Sequence, residues 1–289
     1  MTPTRDWFMA SRPHTWPNAF APVIAGTGAA FHAGEGSFGR ALLAAVVAWA
    51  LIVGVNYAND YSDGIRGTDD DRRGPVRLTA SGRAKPQHVK YAAFAAFAVA
   101  GLFGVALVAV SSTWWLILLG AVCIAAAWFY TGGSRPYGYA GFGEAAVFVF
   151  FGLVAVLGTE YTQAGRITWA GALCAVAIGA ISASVNLANN IRDIPTDAVA
   201  GKRTVAVRLG EVWARRLFVL LTIVPFLASL LLGALSLPCL FGLAALPLAI
   251  AAIRVVLGGA TGAALIPVLG MNGRAMLVWA AITALALGV

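Results

Sequence analysis

Charge is what this chain has least of. Only 11% of its 289 residues are Asp, Glu, Lys or Arg, while 60% are hydrophobic. An ordinary soluble domain carries roughly a quarter charged residues. So little polar surface cannot cover a globule in water. With a mean hydropathy of +0.81, the chain is expected to take lipid as part of its solvent. That excludes a nucleic-acid reading of the net charge of +8, which fits loops facing an anionic membrane leaflet instead. Cysteine is also scarce. Cys123, Cys174 and Cys239 lie in apolar runs without C-x-x-C spacing or a nearby His, which excludes a metal cage and makes them packing residues. The three histidines are scattered over separate segments, and neither GxxxxGK[ST] nor GxGxxG occurs. The N-terminal MTPTRDWFMASRPHTWPN is polar and broken by prolines, so no cleavable signal is expected and the first apolar stretch should be retained.

What is present is a series of apolar runs of membrane-crossing length. Nine are expected, at 17–34, 40–58, 90–111, 113–131, 143–159, 167–191, 215–235, 237–257 and 271–289. This defines an all-α polytopic fold in one domain, 1–289. If the N-terminus is cytoplasmic, eighteen of the twenty Lys and Arg fall on the cytoplasmic side, Arg40 and Arg166 being the exceptions, as the positive-inside rule requires.

The acids are few enough to place individually. Seven of twelve, Asp60, Asp63, Asp69, Asp70, Asp71, Asp193 and Asp197, fall in the two long cytoplasmic loops (about 59–90 and 189–214) or the helix ends entering them. Loop polarity alone explains Asp69, Asp70 and Asp71. It does not explain Asp60, Asp63 and Asp193, which continue from apolar helices where a carboxylate marks a functional site. The segments Asn56 to Asp63 and Asn186 to Asp193 share the pattern N-x-A-N-[DN]-x-x-D. At about 100° per residue, positions 56, 59, 60 and 63 form one polar stripe, and 186, 189, 190 and 193 form another. Pro195 is expected to end or kink the second helix just past Asp193, leaving Asp197 as a ligand candidate in a loop.

Carboxylates and amide oxygens in this number suit Mg²⁺, which bridges carboxylates to substrate phosphates. The interleaved Arg72, Arg73, Arg77, Lys202, Arg203 and Arg208 would meet phosphate oxygens, although positive-inside residues need contact nothing. A lipid diphosphate satisfies both the acidic stripes and the bilayer. An allylic prenyl diphosphate adds a chemical reason for the apolar enclosure, because its ionisation yields a carbocation that water would quench. Tyr57, Tyr61, Phe129, Tyr130 and Phe148 are candidates to face that cation.

NDYSDGIRGTDDDRRGPVRLTASG (59–82) and NNIRDIPTDAVAGKRTVAVRLG (189–210) resemble the two aspartate-rich motifs of the UbiA-type intramembrane prenyltransferases. RPHTWPNAFAPVIAGTG (12–28), YTGGSRPYGYAGFGE (130–144) and GKRTVAVRLG resemble the branch that prenylates 1,4-dihydroxy-2-naphthoate in menaquinone synthesis. The resemblance covers essentially the whole chain. It implies nine transmembrane helices around a central cavity in a bacterial inner membrane, with the active-site mouth cytoplasmic. It also implies transfer of a polyprenyl group from polyprenyl diphosphate to the naphthoate, with loss of pyrophosphate and CO₂. By motif position Asp60, Asp63 and Asp69 would form one metal-diphosphate site and Asp193 and Asp197 the other. Asn56, Asn59, Asn189 and Asn190 would support them, with Lys202 and Arg203 on the phosphates. The first motif departs from D-x-x-x-D after Asp63, so which of Asp69, Asp70 and Asp71 contributes stays open. For the acceptor, Arg12 is the expected partner of the carboxylate, while Tyr130 and Glu144 would orient a hydroxyl or take its proton. The rival readings are a related prenyltransferase with another acceptor (4-hydroxybenzoate, haem or a lipid alcohol) and, in a different class, an ion-coupled transporter.

Overall fold

The computed structural model describes residues 2–67 and 77–288. Asp69, Asp70, Asp71, Arg72 and Arg73 lie outside the described residues. Those described form helices, turns and loops, and the principal helices are α1 (Pro17–His32), α2 (Phe38–Arg66), α3 (Pro86–Ser111), α4 (Leu116–Phe129), α5 (Gly143–Ala164), α6 (Trp169–Arg192), α7 (Val205–Gly233), α8 (Leu237–Leu257) and α9 (Gly262–Leu287). Among the described residues, seven of these are long and apolar enough to cross a membrane; α1 and α4, of 16 and 14 residues, are shorter. Exposed Trp114 and Trp115 flank the start of α4, as aromatic residues do at a membrane interface.

Local chemistry sets the ends. Ser37, Thr168 and Thr204 cap α2, α6 and α7 through their hydroxyls. Gly67, at φ 70°, ends α2 in a left-handed turn. The α2 helix runs eight residues past the expected end at 58, so Asp60 and Asp63 are helical. The α7 helix starts ten residues before the expected 215 and accommodates Gly210 at φ 73° as a kink. The last helix likewise begins at Gly262 rather than 271. In each case polar or Gly-containing turns extend a helix beyond its apolar run, because backbone hydrogen bonding does not stop where hydropathy does.

The most enclosed span is α6, 78% buried over its apolar window against 28% for α2 and α3. Its Ala, Gly and Ser residues let neighbours approach closely. On one side α6 meets α5, which is π-helical over Phe148–Leu157; on the other it meets α7. Trp279, Ile178, Ile181, Leu232 and Met276 fill the contact with α7 and α9. The central cavity is lined by α1 to α6 together with the N-terminal segment. The expected ring of nine helices around one cavity is therefore revised: α7, α8 and α9 stack behind α6 and α1 and buttress the wall.

Candidate active site

Each polar stripe ends in one half of a single pocket. Residues from α2 and α6 meet there with the N-terminal segment, the 130–140 connection and the 197–204 segment, around a volume of about 110 Å³. Its cations are Arg12, Arg77, Arg192 and Lys202, its carboxylates Asp63 and Asp197, and its amides Asn59, Asn186, Asn189 and Asn190. Beyond it lies an apolar cavity of about 500 Å³ with walls that include Leu51, Val55, Ile124, Phe150, Phe151 and Val154. Six residues, Arg12, Thr15, Asn59, Tyr130, Asn186 and Asn189, line both spaces. A polar chamber thus opens directly into a hydrocarbon-like one.

The carboxylates are held in different ways. Asp63 accepts a hydrogen bond from the Tyr139 hydroxyl. Asp197 Oδ1 lies 3.8 Å from Lys202 Nζ, and Lys202 Nζ sits 4.4 Å from the centre of the Tyr139 ring. Tyr139 therefore touches both halves of the site, its hydroxyl on the first motif and its ring under the second. The backbone keeps it there: Arg203 N–H donates to Tyr139 O at 2.8 Å, and Arg208 Nη2 donates to Ala140 O at 2.7 Å. Asp193 is paired in bidentate fashion with Arg192, Nε to Oδ1 at 2.7 Å and Nη2 to Oδ2 at 2.8 Å.

Several expected site residues serve other partners. Asp60, 1% exposed, accepts N–H groups of Leu78 and Thr79 at 2.8 and 2.9 Å. It fastens the segment carrying Arg77 to α2 and is absent from the pocket wall. Asn56 donates to Ser11 O and Thr15 Oγ1 at 2.9 and 3.0 Å, so it fixes the N-terminal segment. Arg203 is exposed and its anchoring contact is through the backbone. Asp197 lies in the short helix Ile194–Val199 rather than a loop, because Pro195 sits in that helix's first turn, where its missing N–H costs nothing. Glu144 is buried off the pocket wall and accepts from Asn190 Nδ2 at 2.6 Å. It reaches the site through that amide and through Asn186, whose side chain also hydrogen-bonds it. Asp69 and Arg72 fall outside the described residues.

Tyr139, Arg192, Thr131 and His14 are among the pocket residues that escaped the sequence reading. Tyr139 sits inside the quoted 130–144 segment but carries no charge. Arg192 reads as one more positive-inside base until its pairing with Asp193 is seen. Thr131 donates to Asn59 Oδ1 at 2.8 Å. His14 lines the pocket, and burial first, then the charges of Arg12 and Arg192, lower its pKa to about 4, so it is a neutral group near neutral pH. Arg12 itself has φ 54°, an uncommon conformation for a non-glycine residue that is associated with functional sites.

A bundle of apolar helices enclosing a greasy cavity, capped by a chamber of acids, amides and bases, defines an intramembrane enzyme acting on a lipid with an anionic head. Residues 19–264 match the UbiA prenyltransferase family, and the chain belongs to it. It is 57% identical to the 1,4-dihydroxy-2-naphthoate octaprenyltransferase of Mycobacterium tuberculosis, over 95% of this chain and 94% of that one. It is 41% identical to the Escherichia coli protein of the same name, over 83% and 77%. Among solved structures, a UbiA homolog from Archaeoglobus fulgidus bound to GPP and Mg²⁺ superposes with a TM-score of 0.66 at 13% identity, covering 96% of this chain and 99% of that one. An apo UbiA homolog from Aeropyrum pernix gives a TM-score of 0.71 at 15% identity over 92% and 96%. At those identities the structures establish the shared fold.

Proposed function

We propose that this protein transfers a polyprenyl group from polyprenyl diphosphate to 1,4-dihydroxy-2-naphthoate, releasing pyrophosphate and CO₂ and giving demethylmenaquinol. The observation that carries the reading is the continuity of the two spaces. The polar pocket suits a diphosphate and the apolar cavity suits the chain attached to it, with six residues spanning the join. Family membership and the names of its relatives point the same way.

Mg²⁺ fits the donor set. The pocket offers carboxylate and amide oxygens, hard ligands for a hard cation. No cluster of three His, Cys, Asp or Glu occurs among the described residues. Mg²⁺ characteristically keeps several waters and is held by one or two carboxylates plus substrate phosphates. Asp63 and Asp197 would hold it, with Asn190 oxygen beside them and one of Asp69, Asp70 and Asp71 as a further ligand; Asp60 and Asp193 would support this arrangement from behind. When bound, the ion supplies charge stabilisation to the departing pyrophosphate. The protein's own cations, Arg77, Arg192 and Lys202, share the remaining charge, with Arg72 expected to join them. Arg12 binds the acceptor's carboxylate at the join. Tyr130 orients its hydroxyl, and the apolar walls exclude water from the allylic cation.

We infer that this mouth faces the cytoplasmic side of a bacterial inner membrane, with nine crossings and the N-terminus inside, a reading supported by the gathering of eighteen of the twenty Lys and Arg on that side. Membranes carrying the protein, given Mg²⁺, a prenyl diphosphate and dihydroxynaphthoate, are expected to release pyrophosphate and a prenylated quinol. Asp63→Asn and Asp197→Asn should each abolish both products. Activity that survives EDTA or both substitutions would overturn the metal-assisted reading.

A further inference from the structure

Glu144 is a buried acid that the transfer reaction described above does not use, 7% exposed and off the pocket wall. Two amides of α6 meet it. Asn186 and Asn190 lie four residues apart and so share a helix face, and both hydrogen-bond its side chain, Asn190 Nδ2 to Oε1 at 2.6 Å. A carboxylate only accepts, so Asn186 meets it through Nδ2 and keeps Oδ1 for another partner. That partner is Tyr130, whose hydroxyl donates to Asn186 Oδ1 at 3.3 Å. The packing agrees with this sense of the amide. A Cβ on Gly143, the residue before Glu144, would stand 3.1 Å from Asn186 Nδ2 and 2.9 Å from Tyr130 Oη, so glycine lets the three groups close up. The chain of hydrogen bonds therefore runs one way, from Tyr130 through Asn186 to Glu144.

Tyr130 lines both the polar pocket and the apolar cavity, and a phenol has one hydrogen to give. With that hydrogen committed to Asn186, Tyr130 can meet a substrate only through the lone pairs of its oxygen. We propose that Tyr130 Oη accepts a hydrogen bond from the 4-hydroxyl of dihydroxynaphthoate, and that Glu144, acting through Asn186, is the positioning residue that sets this polarity. This rests on the prenyl-transfer reading above and deepens it by naming the group of the acceptor that is recognised. The 4-hydroxyl is the free one, because the 1-hydroxyl adjoins the carboxylate and donates to it within the molecule. No proton is transferred, and both hydroxyls remain on the quinol product. The contact fixes the orientation of the ring and enriches it in electrons for capture of the allylic cation. A site of this polarity requires a hydroxyl and rejects a methyl ether, whose oxygen can only accept.

The test uses full-length protein in membranes, a prenyl diphosphate and two acceptors, dihydroxynaphthoate and its 4-methyl ether. In wild type the ether would leave two facing oxygens with no hydrogen between them, so its kcat/KM is expected to be lower roughly tenfold or more. Tyr130→Phe should contract that ratio toward one. Asn186→Leu, close to asparagine in size, leaves Tyr130 in place but frees its hydrogen to turn toward the ether oxygen, and should contract the ratio as well. Glu144→Leu should do the same, because the Asn186 amide is then free to turn. A ratio set by the bulk of the methyl group would contract in Tyr130→Phe alone. A wild-type ratio near one, or an unchanged ratio in folded Asn186→Leu or Glu144→Leu, overturns the proposal, whether or not the overall rate falls. Thermal unfolding in detergent reports folding, and if one of these two variants fails to fold the other decides. If wild type releases no pyrophosphate with dihydroxynaphthoate, the prenyl-transfer reading itself is overturned and this assignment with it.

Discussion

Tyr139 joins the two halves of the site, with its hydroxyl on Asp63 and its ring beneath Lys202. A hydrogen bond to a charged group contributes about 1.5–3 kcal/mol, and a cation over an aromatic face about 0.5–2 kcal/mol. Tyr139→Phe should therefore raise the KM for prenyl diphosphate roughly tenfold or more, and Tyr139→Leu further, because it also removes the ring. Steady-state kinetics that place Phe level with wild type would remove Tyr139 from the site. His14 makes a separate prediction. Its folded pKa of about 4 lies below the ordinary 6.5, so on acidification the unfolded chain takes up the proton first. The stability this difference protects is complete above 6.5 and is lost as pH falls from 6.5 toward 4. Thermal unfolding in detergent should show wild type losing more stability between pH 7 and pH 5 than His14→Gln; equal losses would contradict a buried neutral His14. At this scale the sequence made the stripes visible, because a 3.6-residue period places Asn59, Asp63, Asn189 and Asn190 on the faces that reach the pocket. It could not separate Asp63 from Asp60, three residues away on the same stripe, since what distinguishes them is the Leu78 and Thr79 backbone that Asp60 receives.

Among the elements, the contact between α5 and α6 sets the shape of the cavity wall. A Cβ on Gly152 would stand 2.5 Å from Gly179 Cα and 2.6 Å from Ala175 O. The two helices therefore touch backbone to backbone within the π-helical stretch that presents Phe150, Phe151 and Val154 to the cavity. Gly152→Val should force them apart and cost about 1–3 kcal/mol, the usual range for overpacking, read as a lower melting temperature of the detergent-solubilised protein. Gly158→Ala on the same helix meets nothing within 4 Å and is the control. Equal melting temperatures for the two variants would mean that the close approach is not limiting. Hydropathy located these helices but could not reveal the π-helical winding, which follows from how α5 fits against α6. It also missed the polar extensions of α2, α7 and α9, where caps and tertiary contacts continue a helix that the apolar count had ended.

For the whole molecule, the charge asymmetry carries an orientation that can be tested without activity. Both motif segments and the N-terminus meet at one end of the bundle, around the polar pocket. The opposite end holds the α1–α2 connection with Glu35, and Arg40 ties that region to the end of α5 through Thr162 O and Gln163 O. Arg40 and Arg166, the two bases that break the positive-inside pattern, are both engaged there, Arg166 with Ala33 O at 2.5 Å, which gives them structural work on the far side. The same layout weighs against a transporter, since the described pocket carboxylates gather at one end of the bundle instead of at mid-membrane. Cys174 and Cys239 are buried, whereas Cys123 lines the cavity. A Cys123→Ala background therefore leaves no readily reached thiol, and single cysteines can be introduced at exposed Glu35 and Arg203. A membrane-impermeant maleimide should label Arg203→Cys in inverted vesicles and Glu35→Cys in right-side-out ones. An odd number of crossings also puts the two chain termini on opposite sides, so a cysteine placed after Val289 should label with Glu35→Cys. Labelling of Arg203→Cys and Glu35→Cys from the same side would refute the orientation, and labelling of the C-terminal cysteine with Arg203→Cys would refute nine crossings.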